Sequence, residues 1–218
     1  MSQTGAASGD FSHAICRAAA REGLRLSETQ IGVLAVHFRL LQVWGRRMNL
    51  TSITHLEEVV NRHFMEGLLA GEVLRRSGFS GSLLDLGSGN GFPAFPLRVA
   101  CPAARPLILV ESSGKRAGFL RALIREVEWR DASVEVRRVA RGRDLSDLPC
   151  DLFTTRGVSP FRLLKEGLPF LRSGGIALLF MTEFTLETEI PVLPKSLRLE
   201  ACVPLPGRES GILLLRKN

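Results

Sequence analysis

Two acidic residues and a set of glycines carry the clearest chemistry in this chain of 218 residues. In Ser82-Leu83-Leu84-Asp85-Leu86-Gly87-Ser88-Gly89-Asn90-Gly91-Phe92-Pro93, Asp85 stands two residues before three glycines at alternate positions. Glycines there free the backbone to take positive φ and remove the Cβ atoms that would keep a ligand away. The spacing is G-x-G-x-G, not the dinucleotide G-x-G-x-x-G, and no G-K-S/T follows as in a P-loop. A carboxylate at Asp85 would also repel a pyrophosphate. It suits a ligand that carries an ammonium and a sulfonium, and S-adenosylmethionine is such a ligand. Glu111 comes 24 residues after Gly87, at the end of the apolar run Leu107-Ile108-Leu109-Val110. An acid in that place can hydrogen-bond both hydroxyls of a ribose. The expected cofactor is therefore S-adenosylmethionine, held by Asp85, Gly87, Gly89, Gly91, Phe92 and Glu111.

These residues need a sheet to bring them together. Leu83, Leu84 and Leu86 are an apolar run broken by Asp85, which predicts a short buried strand. Pro93 suits the first position of the following helix, where its missing N–H costs nothing. From Gly81 onward strands are predicted at 82–86, 106–111, 133–138, 151–155 and 175–181, with helices near 93–100, 114–128 and 159–171. Such alternation implies a parallel α/β sheet with right-handed crossovers. Two last strands, 197–203 and 211–216, are separated only by Pro204-Leu205-Pro206-Gly207, so they form an antiparallel hairpin at the edge. Seven strands of this kind give the Rossmann-like architecture of class I S-adenosylmethionine-dependent methyltransferases.

Residues 1–80 read as a helical extension, and 81–218 as the methyltransferase domain. The first nine residues look disordered, and Asp10 is placed to cap a helix to about Arg21. Ser27-x-x-Gln30 is a capping box ahead of Ile31, Leu34, Phe38 and Leu41, an amphipathic helix ended by Gly45-Arg46-Arg47. Thr54-x-x-Glu57 caps a short helix that breaks near Asn61, and another runs from about Arg62 to Arg76. This lead-in cannot easily bury itself without the sheet behind it.

Composition bounds the class. Apolar residues make up 45% and charged residues 23% of the chain, as in globular proteins. No apolar run approaches the length of about 20 residues that a membrane span needs, and the N-terminus lacks the charged and apolar regions of a signal peptide. Cys16, Cys101, Cys150 and Cys202 are scattered without C-x-x-C, so no metal site or disulfide framework is indicated. A cytoplasmic protein without a membrane partner is expected. The net charge is +7, of which +2 falls on residues 1–80 and +5 on residues 81–218. A basic excess favours a polyanionic partner, and Arg137, Arg138, Arg141 and Arg143 cluster as a candidate RNA contact.

The ordered motifs resemble one family. Asn49-Leu50-Thr51, Arg62-His63-Phe64, Asp85-x-Gly87-Ser88-Gly89-x-Gly91-Phe92-Pro93-x-x-Pro96-Leu97 and Ser112-x-Gly114-Lys115-Arg116-x-x-Phe119-Leu120 occur in sequence. Arg156 follows the fourth strand and Gly174-Gly175 precedes the fifth. Together they are similar to the bacterial ribosomal RNA small subunit methyltransferase G family (RsmG, also called GidB), over residues 30 to 181. The resemblance implies methyl transfer from S-adenosylmethionine to N7 of a guanine in 16S rRNA, by a monomer acting on that rRNA or on the small ribosomal subunit. It implies catalytic roles for Arg156, Arg62, His63 and Asn49, with Arg156 also beside the cofactor. It places Arg141-Gly142 near the adenine. Independently of the family, Lys115 and Arg116, opening a helix beside Glu111, can contact RNA phosphates, as can Arg137 and Arg138 of the basic cluster. The residues agree with that chemistry. No D/N-P-P-aromatic segment follows the fourth strand, where Thr154-Thr155-Arg156-Gly157 stands, and Cys150 lies at the strand's other end.

Several positions depart from the family pattern. Glu66-Gly67 replaces the usual Asp-Ser, Ala94 a Gly, Arg141-Gly142 a small residue and Glu, Met181 a common Lys, and Ser210 a basic residue. They leave open a methyltransferase for another RNA or a small molecule, or a catalytically silent cofactor-binding protein of the ribosome.

Overall fold

The sheet determines where every other element can stand. The computed structural model describes residues 3–48, 55–139, 147–156, 168–182, 194–205 and 210–218. Among them are seven strands: β1 (Gly81–Leu86), β2 (Ala104–Glu111), β3 (Ala132–Val136), β4 (Cys150–Thr155), β5 (Leu171–Thr182), β6 (Leu197–Pro204) and β7 (Ser210–Lys217). They lie in the order β3-β2-β1-β4-β5-β7-β6. Strands β1 to β5 pair in parallel, and β7 runs antiparallel between β5 and β6. The chain leaves β1 toward β2 on one side and reaches β4 on the other. That reversal is a topological switch point, where open α/β sheets take their ligands beyond the carboxyl ends of the strands.

Strand alternation sorts the side chains. Leu83, Leu107 and Leu109 enter one apolar core, and Leu84, Leu86, Val110 and Phe153 enter the other. Asp85 has the parity of Leu83, so it faces the first core. That core also takes Phe11 and Ile15 of α1 (Gln3–Arg21), Leu34 and Phe38 of α2 (Glu28–Met48), Leu68 of α4 (Met65–Arg76), Phe95 of α5 (Ala94–Ala100) and Phe119 of α6 (Gly114–Glu126). The N-terminal helices therefore bury their apolar faces against the sheet.

Several boundaries differ from expectation. Helix α1 starts at Gln3, so Asp10 lies inside it and caps nothing, and residues 3–9 are helical. The capping box at α2 is present: Gln30 N–H donates to Ser27 Oγ at 3.2 Å, and Ser27 N–H to Gln30 Oε1 at 2.9 Å. Helix α2 continues through Gly45 to Met48, and α6 stops at Glu126. The break expected near Asn61 is a widening instead. After α3 (Leu56–Val59), Val60–Phe64 form a π-helical turn that runs directly into α4. Pro93 stands just before the first residue of α5, with a cis Phe92–Pro93 bond. Strand β5 begins at Leu171, not after a helix reaching 171, because Leu171 pairs with Cys150 across a register shift. Thr54 and the predicted helix from 159 through 167 lie outside the described residues.

Helices α4 and α5 approach closely at Gly67. A Cβ there would lie 2.5 Å from Pro96 Cγ and 2.6 Å from the Pro93 carbonyl oxygen. The Gly67 departure thus has a packing reason. So does Met181, which is buried in the second core, where a lysine ammonium would have to be desolvated.

Candidate active site

The parallel register brings three chain segments to one edge. Asp85 pairs with Leu109 of β2 and Thr154 of β4, so the ends of β1, β2 and β4 coincide. Glu111 closes β2, and Arg156 directly follows β4. Between them the glycine loop is folded by its own backbone. The N–H groups of Gly87 and Ser88 reach the Val110 carbonyl at 2.9 and 3.1 Å, and Gly91 N–H reaches Ser88 O at 2.7 Å. Gly87, Gly89 and Gly91 have φ of 71°, 51° and 83°, a region that side-chain-bearing residues rarely enter.

Asp85 is 1% exposed, and among the described residues neither carboxyl oxygen has a hydrogen-bond partner. Burial pushes its carboxyl well above the usual carboxylate range; the neighbouring Ser88 hydroxyl and the charge of Arg156 oppose this, and the charge of Glu111 adds to it. A buried acid without a partner is costly unless a donor or cation arrives.

Glu111 does more than the sequence implied. Its Oε2 accepts from Gly89 N–H at 2.9 Å, and its Oε1 accepts from Ser113 N–H at 2.8 Å. It staples the glycine loop to the start of α6 before any ligand is considered. Each carboxylate oxygen has two acceptor positions, so Oε2 can still take a hydroxyl donor.

Arg156 is the hub of the opposite wall. Its Nη2 lies 3.0 Å from His63 Nδ1, and its Nη1 lies 3.3 Å from Glu66 Oε2. A guanidinium has only donors, so His63 Nδ1 is the acceptor and carries no proton in this contact. The π-helical turn is what presents His63 to this wall, a use often made of such turns. His63 also stacks on Phe92, with ring centroids 4.9 Å apart. Arg62, one residue earlier, is exposed and pairs with Glu58 at 2.9 Å. The structure thus brings Asp85, the glycines, Phe92, Glu111, His63 and Arg156 together and turns Arg62 to solvent.

Other expected residues stand at the periphery. Lys115 and Arg116 are exposed on the first turn of α6, beside Glu111. Arg137 is held by both oxygens of Asp147 at 2.8 Å, while Arg138 is exposed. Cys150 is buried at the opening of β4, and burial pushes its thiol up to about 12. Asn49, Arg141 and Gly142 lie outside the described residues.

Two residues at the site escaped sequence reasoning. Glu66 stood out only as a departure from a pattern, yet it is the acidic partner of Arg156. His37 of α2 is fully buried, its Nε2 2.7 Å from the Asn90 carbonyl oxygen of the glycine loop. The available signal was a single imidazole on the face that carries Leu34, Phe38 and Leu41.

A family model described as rRNA small subunit methyltransferase G matches residues 30–206. The chain belongs to that family. It is 39% identical over 164 residues to the ribosomal RNA small subunit methyltransferase G of Roseiflexus castenholzii, covering 74% of this chain and 69% of the other. To the protein of the same name from Chloroflexus aggregans it is 34% identical over 203 residues, covering 88% and 84%. A putative O-methyltransferase from Klebsiella pneumoniae shares the fold, with a TM-score of 0.63 over 94% of this chain and 96% of the other at 13% identity. The family is one of S-adenosylmethionine-dependent methyltransferases, so the chain is such an enzyme.

The residues present fit that cofactor. The unpartnered carboxyl of Asp85 is a counter-charge for the methionine ammonium. Glu111 Oε2 has capacity for a ribose hydroxyl, and the positive-φ glycines leave the approach between them free of Cβ atoms. Among the described residues, no helix is long and apolar enough to cross a membrane.

Proposed function

We propose that this enzyme methylates N7 of a guanine in 16S rRNA, alone or within the small ribosomal subunit, in the cytoplasm and as a monomer. The observation that carries the reading is the family match from residue 30 to 206, which takes in nearly all of α2 and the helices from there to the sheet as well as the cofactor half. S-adenosylmethionine, when bound, supplies an electrophilic methyl on sulfur. Guanine N7 has an exposed lone pair and no proton to lose, so the chain needs no general base at the reacting atom. Its task is to place two reactants and exclude water.

The geometry of the described residues supports the following division of labour. Asp85 would hold the ammonium and Glu111 a ribose hydroxyl of the cofactor, on either side of the glycine loop. Arg156, fixed by Glu66 and His63, sets a donor array at the carboxyl edge of β4, suited to the acceptor-rich edge of guanine. His63, stacked on Phe92, forms one side of that opening. Arg62 is assigned to the rim; Asn49 and Arg141-Gly142, to which the family resemblance gives catalytic and adenine-side roles, lie outside the described residues. Lys115, Arg116 and Arg138 supply cations for the RNA backbone, and Arg137 contributes only if it leaves Asp147.

The test is transfer of labelled methyl from S-adenosylmethionine to small subunits, and separately to naked 16S rRNA, from cells that lack the modification. The product is mapped by borohydride reduction and aniline cleavage, which breaks the chain at N7-methylguanosine. One cleavage site is expected. Labelling elsewhere would redirect the substrate, and cofactor binding with no transfer to any RNA would refute the enzyme reading.

A further inference from the structure

We propose that His37 is a positioning residue for cofactor binding, tying the glycine loop to helix α2 through its Nε2–H. The proposal rests on the reading that this loop holds S-adenosylmethionine. The Asn90 carbonyl can only accept, so His37 Nε2, 2.7 Å away, is the protonated nitrogen. Its Nδ1 is buried and has no hydrogen-bond partner among the described residues. An apolar ring would avoid that loss, so core packing alone does not account for an imidazole here.

The ring is wedged directly under the loop. It stacks on Phe92 with centroids 4.5 Å apart and meets Phe95 edge-on at 4.8 Å and Phe64 at 5.3 Å. A Cβ added to Gly91 would lie 3.5 Å from His37 Cε1, so the imidazole fills the space beneath that glycine. The loop is thus held from two sides. Glu111 grips the Gly89 N–H from the β2 end, and His37 grips the Asn90 carbonyl from α2. Adjacent residues are fixed through opposite polar groups, which sets the orientation of the peptide units that a ligand meets.

His37 performs this task as a neutral ring. Burial, assisted only by the nearby His63 and opposed by the Asn90 carbonyl, lowers its pKa to about 3. It does not exchange protons with substrate at any ordinary working pH. Its effect passes through the backbone of the loop.

Two substitutions separate the hydrogen bond from the packing. His37→Phe keeps a ring in the aromatic cluster and removes the donor. His37→Gln carries an amide N–H that reaches the position of Nε2. Calorimetry with S-adenosylmethionine, thermal melting of the cofactor-free protein and KM for rRNA are measured for each. We expect His37→Phe to melt at or above the wild-type temperature yet bind the cofactor about tenfold more weakly, with KM for rRNA unchanged. His37→Gln should return to within about threefold of wild-type affinity. If His37→Phe does not fold, His37→Met against His37→Gln gives the same contrast. Affinity equal to wild type in the donor-free variant would overturn the proposal, as would affinity losses that merely follow melting temperature in both variants. Wild-type protein that binds no cofactor would overturn the reading beneath it, whereas wild-type binding with an unaffected donor-free variant removes this inference alone.

Discussion

Replacing Asp85 with Asn should weaken the enzyme's hold on its cofactor and at the same time change how the empty protein responds to pH. The substitution keeps the shape of a side chain that is 1% exposed and removes its charge. A hydrogen bond to a charged group contributes about 1.5–3 kcal/mol, which corresponds to about a 10- to 150-fold rise in Kd. The stability effect has the opposite sense. Burial holds the native carboxyl's pKa above its unfolded value, so between the two values the native state keeps a proton that the unfolded state releases. The contribution is present at acid pH and is lost as pH rises from about 4 toward the native value, by at most ~1.4 kcal/mol per pH unit. Asn has no such slope. The cofactor-free variant should therefore gain on wild type in melting experiments at pH 8 relative to pH 5, while calorimetry shows the loss of affinity. Glu111 and Arg156 face the same carboxyl and remain in both proteins, so the difference between the two isolates Asp85. Binding within threefold of wild type would refute the assignment of Asp85 to the ligand. A melting difference that does not vary with pH would refute the account of its burial.

His37 gives a window of the opposite sign. Its native pKa of about 3 lies below the ordinary 6.5, so stability is intact above pH 6.5 and lost as pH falls toward 3. The loss is at most ~1.4 kcal/mol per pH unit, and denaturant titrations from pH 7 to 4 should show it in wild type and not in His37→Gln. Gly67→Ala places a Cβ against Pro96 and the Pro93 carbonyl and should cost about 1–3 kcal/mol by overpacking. Calorimetric melting checks this, and an unchanged melting temperature would mean that α4 and α5 part easily. Lys115→Glu with Arg116→Glu should weaken rRNA binding and reduce its dependence on salt by about one to two counterions, with cofactor affinity unmoved. An unaltered salt slope in filter binding would remove the start of α6 from the RNA surface.

What was legible in the sequence was what lies close together along the chain. Asp85, the glycines and Glu111 sit in one strand–loop–helix–strand unit whose spacing is set by the sheet itself, and each landed at the carboxyl edge. The parallel strands and the terminal hairpin were legible for the same reason, because apolar runs and turn residues report locally. The partners of the site were not. His37 lies 53 residues from Asn90 and His63 lies 93 from Arg156, and nothing near either residue encodes the partner. Glu66 looked like a loss from a pattern because its use depends on where Arg156 arrives. Arg137 reads in the sequence as one member of a basic cluster, and its pairing with Asp147 comes only with the fold. The sequence suggests a break near Asn61 where the helix in fact widens, because a helix that widens and one that stops share the same interruption of apolar period.

That widening restricts how the chain can vary. Val60–Phe64 connect α3 to α4 without leaving the helical path. Removing one residue would turn everything after it by about 100° about the helix axis. Gly67 would swing away from Pro96, and His63 and Glu66 would no longer reach Arg156 together. Length changes that a surface loop absorbs would here break the packing of α4 and dismantle one wall of the active site at the same stroke. The segment acts as a register key, and the number of its residues matters as much as their identity.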